Sequence, residues 1–351
     1  MDELTAIADR ITRRDSGGVR GPWTLELYPT LACNLDCGFC DTTDRHRPPV
    51  NELGEARTLA LLDEAAASGV QRVFILGGGE PLLAAHTPAL MRRVKQHGME
   101  GILTTNGTLM GEPVRRMMVE VGWDEVHVSI DGATPSTHDR LRGRIGAFDR
   151  SIRALCRLRS LRNGHRAPRL ALHTVITREN VDEIADIVRL AAAVGAERVE
   201  FDGLIAYRPE QRAHALDEEA RRRLPSRARA GLDIAASHGI VTTLHRFLDA
   251  VERGTLPPAP GTGIGYGTAP CLKAWHSLVV AADGRTSPCC VLAGTGESVA
   301  SAPLSEVWEN SASLTTIRAG MLAGRPTGRC AECSENILAH ERAIRAHLPA
   351  A

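Results

Sequence analysis

Six short apolar runs, alternating with amphipathic helical stretches, are the feature that most restricts how this chain can fold. The helical stretches lie at about 54–68, 84–97, 112–121, 147–162 and 180–194. Such alternation is typical of a parallel sheet whose strands are joined by crossover helices. It predicts an α/β fold, a partial (β/α)6 version of the TIM barrel. The predicted strands are WTLELYPT (23–30), VQRVFILG (70–77), GILTTNG (101–107), EVHVSI (125–130), RLALHTVI (169–176) and RVEFDGL (198–204).

Residues suited to chemistry follow these strands at their carboxyl ends. Cys33, Cys37 and Cys40 come after the first strand, and the run 77–81 (GGGEP) closes the second. The runs 104–107 (TTNG) and 129–132 (SIDG) end the third and fourth strands. Because the active sites of parallel barrels form at this edge, we expect the four segments to meet at one end of the barrel.

The spacing of the first three cysteines, CxxxCxxC, restricts the metal that they could hold. Three thiolates can bind three irons of a 4Fe–4S cluster and leave the fourth iron open to another ligand. A zinc site is the alternative, and it would need a fourth ligand such as Asp36, Asp41 or His46. Phe39, inside the loop, offers an apolar surface that could lie against an adenine.

The three-cysteine loop, with the glycine run that follows the next strand, resembles the cluster motif of the radical S-adenosylmethionine (radical SAM) enzymes. This resemblance implies a 4Fe–4S cluster whose open iron binds the amino and carboxylate groups of SAM. It also implies that Gly78, Gly79 and Glu80 contact the SAM amino group. A glycine turn alone would be weak support, because glycine also ends strands for purely local reasons.

Further SAM contacts are implied at the next strand ends. Ser129 and Asp131 alternate to one face of a strand and could both reach the ribose hydroxyls. A local turn is the alternative for Asp131, since Asp-Gly is a common turn pair. Asn106 is a candidate contact at the end of the third strand, with a plain turn as its alternative. Thr174 and Asn180 are candidates for the SAM carboxylate or adenine.

A second region begins near residue 257 with the Pro/Gly-rich stretch PPAPGTGIGYGTAP (257–270). We therefore divide the chain into an N-terminal extension (1–22), a barrel (23–256) and a small α+β domain (257–351). In that domain the runs 276–282 and 285–291 flank Asp283-Gly284, which predicts a β-hairpin. Helical patterns follow at about 304–322 and 334–347.

The second region carries its own cysteines. Cys271 and Cys289, with 17 residues between them, resemble the start of the SPASM domain found in radical SAM enzymes. The sequence has no cysteine after Cys333, so the resemblance implies the short form called twitch. That form holds one auxiliary 4Fe–4S cluster, here through Cys271, Cys289, Cys330 and Cys333. A structural zinc site with the same thiolates is the alternative.

A fully ligated auxiliary cluster is suited to accept an electron, which favours oxidation of the substrate. The chain is similar to aminocyclitol dehydrogenases of the 2-deoxy-scyllo-inosamine type. This implies an oxidoreductase of antibiotic biosynthesis that converts a secondary alcohol of an aminosugar or aminocyclitol into a ketone. Lys273, Asp202, His173 and Glu200 are the candidate bases, by their positions at strand ends or beside the cysteines.

Other reactions remain open at this point. Cys290 could be packing, a substitute ligand, or a thiol that returns a hydrogen atom and so causes epimerisation. A ribosomal-peptide maturase is a further alternative, as is a metal-binding protein without activity. Only 22 residues precede the first strand, too few for the leader-binding domain of many peptide-maturing members, which favours a small-molecule substrate.

Charge and hydropathy exclude several classes of partner. The 351 residues include 42 basic and 42 acidic side chains, so no charge excess favours nucleic acid or an anionic membrane. No apolar run approaches the roughly 18 residues of a membrane span. Charges throughout the first 20 residues argue against a secretory signal. We expect a cytoplasmic protein with reduced thiols, served by a flavodoxin- or ferredoxin-type electron donor.

Overall fold

The computed structural model describes residues 2–14, 21–40, 51–165, 167–206, 208–252, 271–325, 333 and 335–348. Nine strands in these ranges form one sheet, in the order β7-β6-β5-β4-β3-β2-β1-β8-β9. Neighbouring strands are parallel except for the antiparallel pair β8–β9. The strands are β1 Thr24–Leu27, β2 Arg72–Ile75, β3 Glu100–Thr105, β4 Glu125–Ser129, β5 Arg169–Ile176, β6 Arg198–Gly203, β7 Val241–Thr242, β8 Ser277–Val280 and β9 Thr286–Ser287.

Helices connect the parallel strands, as the alternating pattern predicts. Strands β1 to β6 lie side by side in chain order, so the predicted α/β partial barrel is confirmed. The helices are α1 Glu3–Arg14, α2 Glu55–Ala67, α3 Thr87–Gln96, α4 Glu112–Glu120, α5 Pro135–Arg142, α6 Ala147–Arg162, α7 Ile184–Val194, α8 Pro209–Arg212, α9 Glu218–His238, α10 Leu244–Glu252, α11 Lys273–His276, α12 Leu304–Asn310, α13 Ala312–Leu322 and α14 Glu335–Arg345. Within the described ranges, no helix is long and apolar enough to cross a membrane.

The two faces of the sheet differ in polarity. On β4, Val126 and Val128 belong to the main apolar core. The residues between them, Glu125, His127 and Ser129, point to the opposite face because side chains alternate along a strand. We call this opposite, concave face the inner face. Its polar side chains make it the surface on which ligands could be held.

Ion pairs fill the amino-terminal end of the inner face. Arg72 lies 2.6 Å from Glu100 on the next strand, and Arg169 lies 2.6 Å from Glu125. Burial opposes ionisation of Glu125, but hydrogen bonds and charge from His127 and Arg169 outweigh it and lower its pKa to about 2. These groups neutralise one another, so the chemistry is left to the carboxyl end of the strands.

The segment before β1 contains a helix. Helix α1 buries Ile7 and Ile11 in a second apolar cluster with Trp275 and Ile344. The Arg10 guanidinium donates to four backbone carbonyls in the segments 21–22 and 68–69. The predicted extension 1–22 thus includes a helix that packs against both the barrel and the C-terminal region.

The C-terminal region continues the barrel sheet. Strand β8 pairs in parallel with β1, with Leu25 opposite Leu278 and Leu27 opposite Val280. The hairpin predicted at Asp283-Gly284 joins β8 to β9. The proposed boundary at residue 257 lies outside the described residues, but the sheet itself runs through both regions. The single helix predicted at 304–322 is two helices, α12 and α13.

Candidate active site

The three-cysteine loop leaves the carboxyl end of β1 and gathers its thiols. Burial raises the pKa of Cys37 to about 11, and the nearby Cys33 and Cys40 thiols raise it further while Arg142 opposes them. The Leu35 amide donates to the Cys33 sulfur at 3.4 Å. The three thiols therefore belong to one electrostatic neighbourhood, and their binding of a shared cluster, which would displace their protons, stays a prediction.

The glycine run after β2 packs directly on the backbone that leads into this loop. A Cβ at Gly79 would stand 1.9 Å from the carbonyl oxygen of Ala32. The Gly79 amide donates to the carbonyl of Thr30 at 2.8 Å. Gly78 has a φ of +67°, which favours glycine. The two glycines are therefore required for close backbone contact beside Cys33, and their contact with SAM stays a prediction.

Glu80 is fixed at the junction of β2 and β3. Its carboxylate is 2% exposed. It accepts hydrogen bonds from the Thr105 hydroxyl at 2.6 Å and from the amides of Asn106 at 2.8 Å and Leu82 at 3.1 Å. Burial outweighs these bonds and raises its pKa. A carboxylate held by three donors is well oriented to receive a further cationic group.

Three other residues that were predicted to contact SAM form hydrogen bonds within the protein. The Asn106 side chain donates to Asn34 of the cysteine loop at 2.9 Å. Thr174 and Asn180 donate to backbone carbonyls just after β4 at 2.6 Å and 2.9 Å. All three are buried. These side chains stabilise the loops around the site, and direct contact with SAM stays a prediction for each.

Asp131 is paired with an arginine that the sequence patterns did not single out. Its carboxylate is fully buried, lies 2.5 Å from the Arg142 guanidinium and accepts the Val175 amide at 2.9 Å. Arg142 also lies 3.8 Å from the Cys37 sulfur and stacks over the Phe39 ring at 5.7 Å. Asp131 would reach a ribose only by giving up this ion pair, so its ribose contact stays a prediction.

Ser129 and a histidine–aspartate pair stand on the inner face at the ends of β4 to β6. Ser129 lies opposite His173 in the strand register. The His173 Nε2 atom is 2.6 Å from the Asp202 carboxylate, and the two side chains are 25% and 29% exposed. Burial lowers the pKa of His173, but Asp202, with smaller contributions from Glu200 and Asp131, outweighs it and raises the pKa. This pair can exchange a proton with a bound molecule.

The second set of cysteines also converges. Cys271 and Cys333 are buried. Burial raises the pKa of Cys289 to about 12, and the Cys333 and Cys271 thiols add to the rise. Cys271 and Cys333 are therefore near enough to Cys289 to influence its charge, and the binding of an auxiliary cluster by these residues stays a prediction. Cys330 lies outside the described residues.

A buried carboxylate joins the two segments that carry these cysteines. Glu341, on α14, accepts the Leu272 amide at 2.8 Å and lies 3.1 Å from His276 Nε2. His340 Nδ1 is 3.6 Å from the same carboxylate. Since Leu272 follows Cys271 and α14 follows Cys333, Glu341 stabilises the position of one segment against the other. No sequence pattern indicated this contact.

Of the three predicted catalytic residues, Lys273 and Asp202 both influence the pKa of Cys290. Cys290 is exposed to water by its surface area. Yet burial raises its pKa, and so do Glu26 and Asp202, while Lys273 opposes them. Together these observations describe a thiol that water reaches but protein surrounds. The Lys273 ammonium is 3.5 Å from the Glu26 carboxylate, and this charge outweighs burial and raises the pKa of Lys273.

Comparison with known proteins agrees with the geometry of the two cysteine sets. The profile of the radical SAM superfamily matches residues 27–191, and that of the SPASM iron–sulfur cluster-binding domain matches residues 271–334. The PqqA peptide cyclase of Ruegeria pomeroyi is 30% identical over 277 residues, which cover 77% of this chain and 68% of the relative. The chain belongs to the radical SAM superfamily.

Other radical SAM proteins are similar over different lengths. The AdoMet-dependent heme synthase of Methanosarcina barkeri is 26% identical over 82% of each chain. The mycofactocin maturase MftC of Mycolicibacterium smegmatis is 31% identical over 53% of this chain and 46% of its own. Streptococcus suis SuiB bound to S-adenosylmethionine shares the fold, with a TM-score of 0.69, 17% identity and coverage of 89% of this chain and 71% of SuiB.

The donor groups fit the cofactors of the radical SAM superfamily. Each cysteine set offers soft thiolate ligands, which suit iron–sulfur clusters better than hard cations. Gly78, Gly79 and Glu80 lie against the backbone beside the first set, at the place where SAM would bind its cluster. The match to SPASM carries the same conclusion for the second set.

Sequence reasoning missed Arg142, although one signal was present. Helix α5 is short and polar, yet it buries His138, Leu141 and Arg142 on one side. Arg142 lies four residues after His138 on the same helical face, and a charge on a buried face needs a partner. The partner, Asp131, comes from the preceding strand end, and only the folded chain shows that the two meet.

Proposed function

We propose that this radical SAM enzyme matures a peptide by removing a hydrogen atom from one of its residues. The observation that carries the proposal is the match to the PqqA peptide cyclase over 77% of the chain. The partial match to mycofactocin maturase supports the same class of substrate. The name of the first relative describes the cyclisation of a peptide, and the name of the second describes the maturation of mycofactocin.

Oxidation of an aminosugar or aminocyclitol alcohol has no counterpart among the relatives named here. The similarity to aminocyclitol dehydrogenases rested on the spacing of the cysteines. The prediction of a small-molecule substrate rested on the length of the segment before β1. The relatives outweigh that argument, so we place the peptide first and keep the sugar oxidation as a class to be tested.

The residues around the first cysteine set would bind and orient SAM. When bound there, SAM and a 4Fe–4S cluster supply a 5′-deoxyadenosyl radical, which takes a hydrogen atom from the substrate. Cys33, Cys37 and Cys40 would hold the cluster. Glu80 would receive the SAM amino group, because its carboxylate is already fixed by three donors. Ser129 would face the ribose from the end of β4.

Two groups would decide what happens to the substrate radical. In an oxidative reaction the radical would lose one proton to His173, oriented by Asp202, and one electron to the auxiliary cluster that the second cysteine set would hold. In an epimerisation Cys290 would donate a hydrogen atom from its thiol, and one electron from the external one-electron donor and one proton from water would then restore that thiol. Lys273 pairs with Glu26, so we assign it to charge neutralisation in place of base catalysis.

Mass spectrometry of a peptide co-expressed with the enzyme tests this proposal. The peptide should come from a short open reading frame beside the gene, and the cells should be grown in normal water and in heavy water. Loss of two hydrogens would show an oxidative crosslink. Uptake of one solvent deuterium without loss of mass would show epimerisation, which Cys290→Ala should abolish. Cys156→Ala, at an exposed cysteine on α6, is the matched control.

A SAM-dependent step in heme formation is the second candidate. It is favoured by the heme synthase of Methanosarcina barkeri, whose match spans 82% of both chains. The test is anaerobic incubation of the reduced enzyme with an iron porphyrin and SAM. A change in the porphyrin mass, with no change in any neighbouring peptide, would replace the peptide proposal with this one.

A further inference from the structure

An exposed cleft lies on the outer surface beside α5. Its volume is about 470 Å³, and its lining includes Asp139, Arg140, Arg144 and Ile145. Ile145 is 90% exposed, the most exposed large apolar side chain in the described ranges. Ile145 thus offers apolar contact area beside two arginines at the rim of the cleft.

The cleft stands directly behind the three-cysteine loop. The amides of Asp36 and Gly38 donate to backbone carbonyls at the end of α5 at 3.0 Å and 3.3 Å. Gly143, which lines the cleft, packs so closely that an added Cβ would stand 2.1 Å from the Asp36 carbonyl oxygen. A single layer of backbone therefore separates this surface from Cys37.

The charge that the cleft presents to solvent is positive. Arg140 and Arg144 are exposed, and neither forms an ion pair with a residue in the described ranges. The carboxylate of Asp139, the acidic residue of the lining, is already engaged in hydrogen bonds within the protein. It accepts the amides of Gly146 at 2.6 Å and Phe148 at 2.8 Å, which stabilise the loop at the start of α6.

We propose that this cleft is the docking surface for an acidic one-electron carrier protein of the flavodoxin class. Radical SAM chemistry needs one electron per SAM cleaved. The carrier's reduced flavin would lose one electron, and the cluster held by Cys33, Cys37 and Cys40 would gain it. Opposite charges speed encounter between such partners, and weak redox complexes use small interfaces. The inference rests on membership of the superfamily and is independent of the peptide proposal.

Reduction by two different electron sources tests the surface. The double variant Arg140→Glu/Arg144→Glu is compared with the native enzyme after both have been reconstituted with clusters. Loss of the cluster absorbance is followed after addition of reduced flavodoxin and, in a separate experiment, after addition of dithionite. We expect about a tenfold slower reduction by flavodoxin and a weaker salt dependence, with the dithionite rate unchanged. Arg153→Glu/Arg229→Glu is the control, because both arginines are exposed on other parts of α6 and α9 and give the same change of net charge.

Binding provides a readout that does not depend on cluster activity. Titration of oxidised flavodoxin into the same proteins should give a dissociation constant about tenfold larger for the double variant than for the control. Ile145→Asp, a change at a fully accessible side chain, should have a similar effect. Equal flavodoxin binding and reduction by the variants and the control would overturn the proposal. Since no peptide is present, this result is separate from the outcome of the maturation assay.

Discussion

Arg142 connects the charges around the first cysteine set. One guanidinium meets the buried Asp131 carboxylate, the Cys37 sulfur and the Phe39 ring. An ion pair of this kind can be neutral for stability as a whole, but removal of one partner leaves a buried charge without compensation. The pair therefore fixes the relation between the end of β4, helix α5 and the cysteine loop.

We expect Arg142→Met to destabilise the cluster-free protein by about 3–5 kcal/mol, because Asp131 would remain as an unpaired buried charge. Urea unfolding measures the change. The double variant Asp131→Asn/Arg142→Met should recover most of the loss, since it removes both charges. Arg140→Met, at the exposed arginine two positions earlier, is the control. A double variant as unstable as the single one would contradict this explanation.

The titration of His173 should depend on Asp202. Its pKa is raised above the ordinary 6.5, and the main groups that face it are Asp202, Glu200 and Asp131. In Asp202→Asn the principal counter-charge is lost while burial remains, so the pKa should fall. Nuclear magnetic resonance of histidine-labelled protein measures it. An unchanged pKa would show that Asp202 does not control this imidazole.

The same pair sets a pH dependence of stability and of turnover. A raised histidine pKa stabilises the fold below the unfolded pKa, and this contribution is lost as pH rises through the folded pKa. Asp202→Asn should therefore cost more stability at about pH 5 than at about pH 9. If neutral His173 accepts the substrate proton, peptide oxidation should rise with pH above 6.5 in the native enzyme and at lower pH in the variant.

Among the elements, α1 connects the two ends of the chain. It packs Ile7 and Ile11 against α11 and α14 and holds the start of β1 and the turn before β2 through Arg10. The same apolar cluster contains Cys271 and Leu272. The helix thereby supports the second cysteine set from the opposite end of the chain.

Ile7→Ala should lower the free energy of unfolding by about 2–5 kcal/mol, because Ile7 is 1% exposed and the variant leaves a cavity. We also expect less iron in the auxiliary site, since Cys271 lies in the same cluster. Thermal unfolding and iron analysis measure the two effects. Ile145→Ala, at an isoleucine that is 90% exposed, is the matched control and should change neither.

The elements that could be predicted are those set by local pattern. Strands β1 to β6 follow from apolar runs between amphipathic helices, and the hairpin follows from Asp283-Gly284. Helix α9 was not predicted, because a proline, Pro225, lies inside it and its apolar residues do not follow a clear helical pattern. The pairing of β8 with β1 joins the two ends of the chain, and no local signal encodes such a contact.

The same distinction applies to the site. Cysteine spacing predicts two sets of cluster ligands, because a cluster restricts the local chain, and the family profiles match both regions. The contacts of Arg142 with Asp131, of His173 with Asp202 and of Glu341 with Leu272 join separate elements. Their formation depends on how strands and helices pack, so sequence reasoning named some of these residues but not their partners.

At the scale of the whole molecule, the barrel and the SPASM region share one sheet. Strand β8 covers the edge of β1, and β9 follows it. A chain that ends at residue 252 would expose that edge and the apolar side chains Leu278 and Val280 would be missing from the core. Exposed parallel edges promote aggregation.

We therefore expect the chain 1–252 to be insoluble or to bind hydrophobic dyes strongly. Light scattering and dye fluorescence measure this. Val279→Pro in the full chain provides a milder form, because it removes a backbone donor from β8 and should reduce thermal stability. A soluble, cooperatively unfolding chain 1–252 would show that the barrel does not depend on β8.

The continuous sheet also fixes the spacing between the strands that lead into the two cysteine sets. Strand β1 leads into Cys33, and β9 leads into Cys289, with only β8 between the two strands. Because β9 runs antiparallel to β8, β1 and β9 leave the sheet at opposite ends, and the hydrogen-bonded neighbours fix the spacing of the strands before any substrate arrives. For the peptide substrate proposed above, the reacting residue would then have to extend between the two cysteine sets by the right length. The enzyme would then select one residue of a flexible peptide by how far that residue extends toward the site.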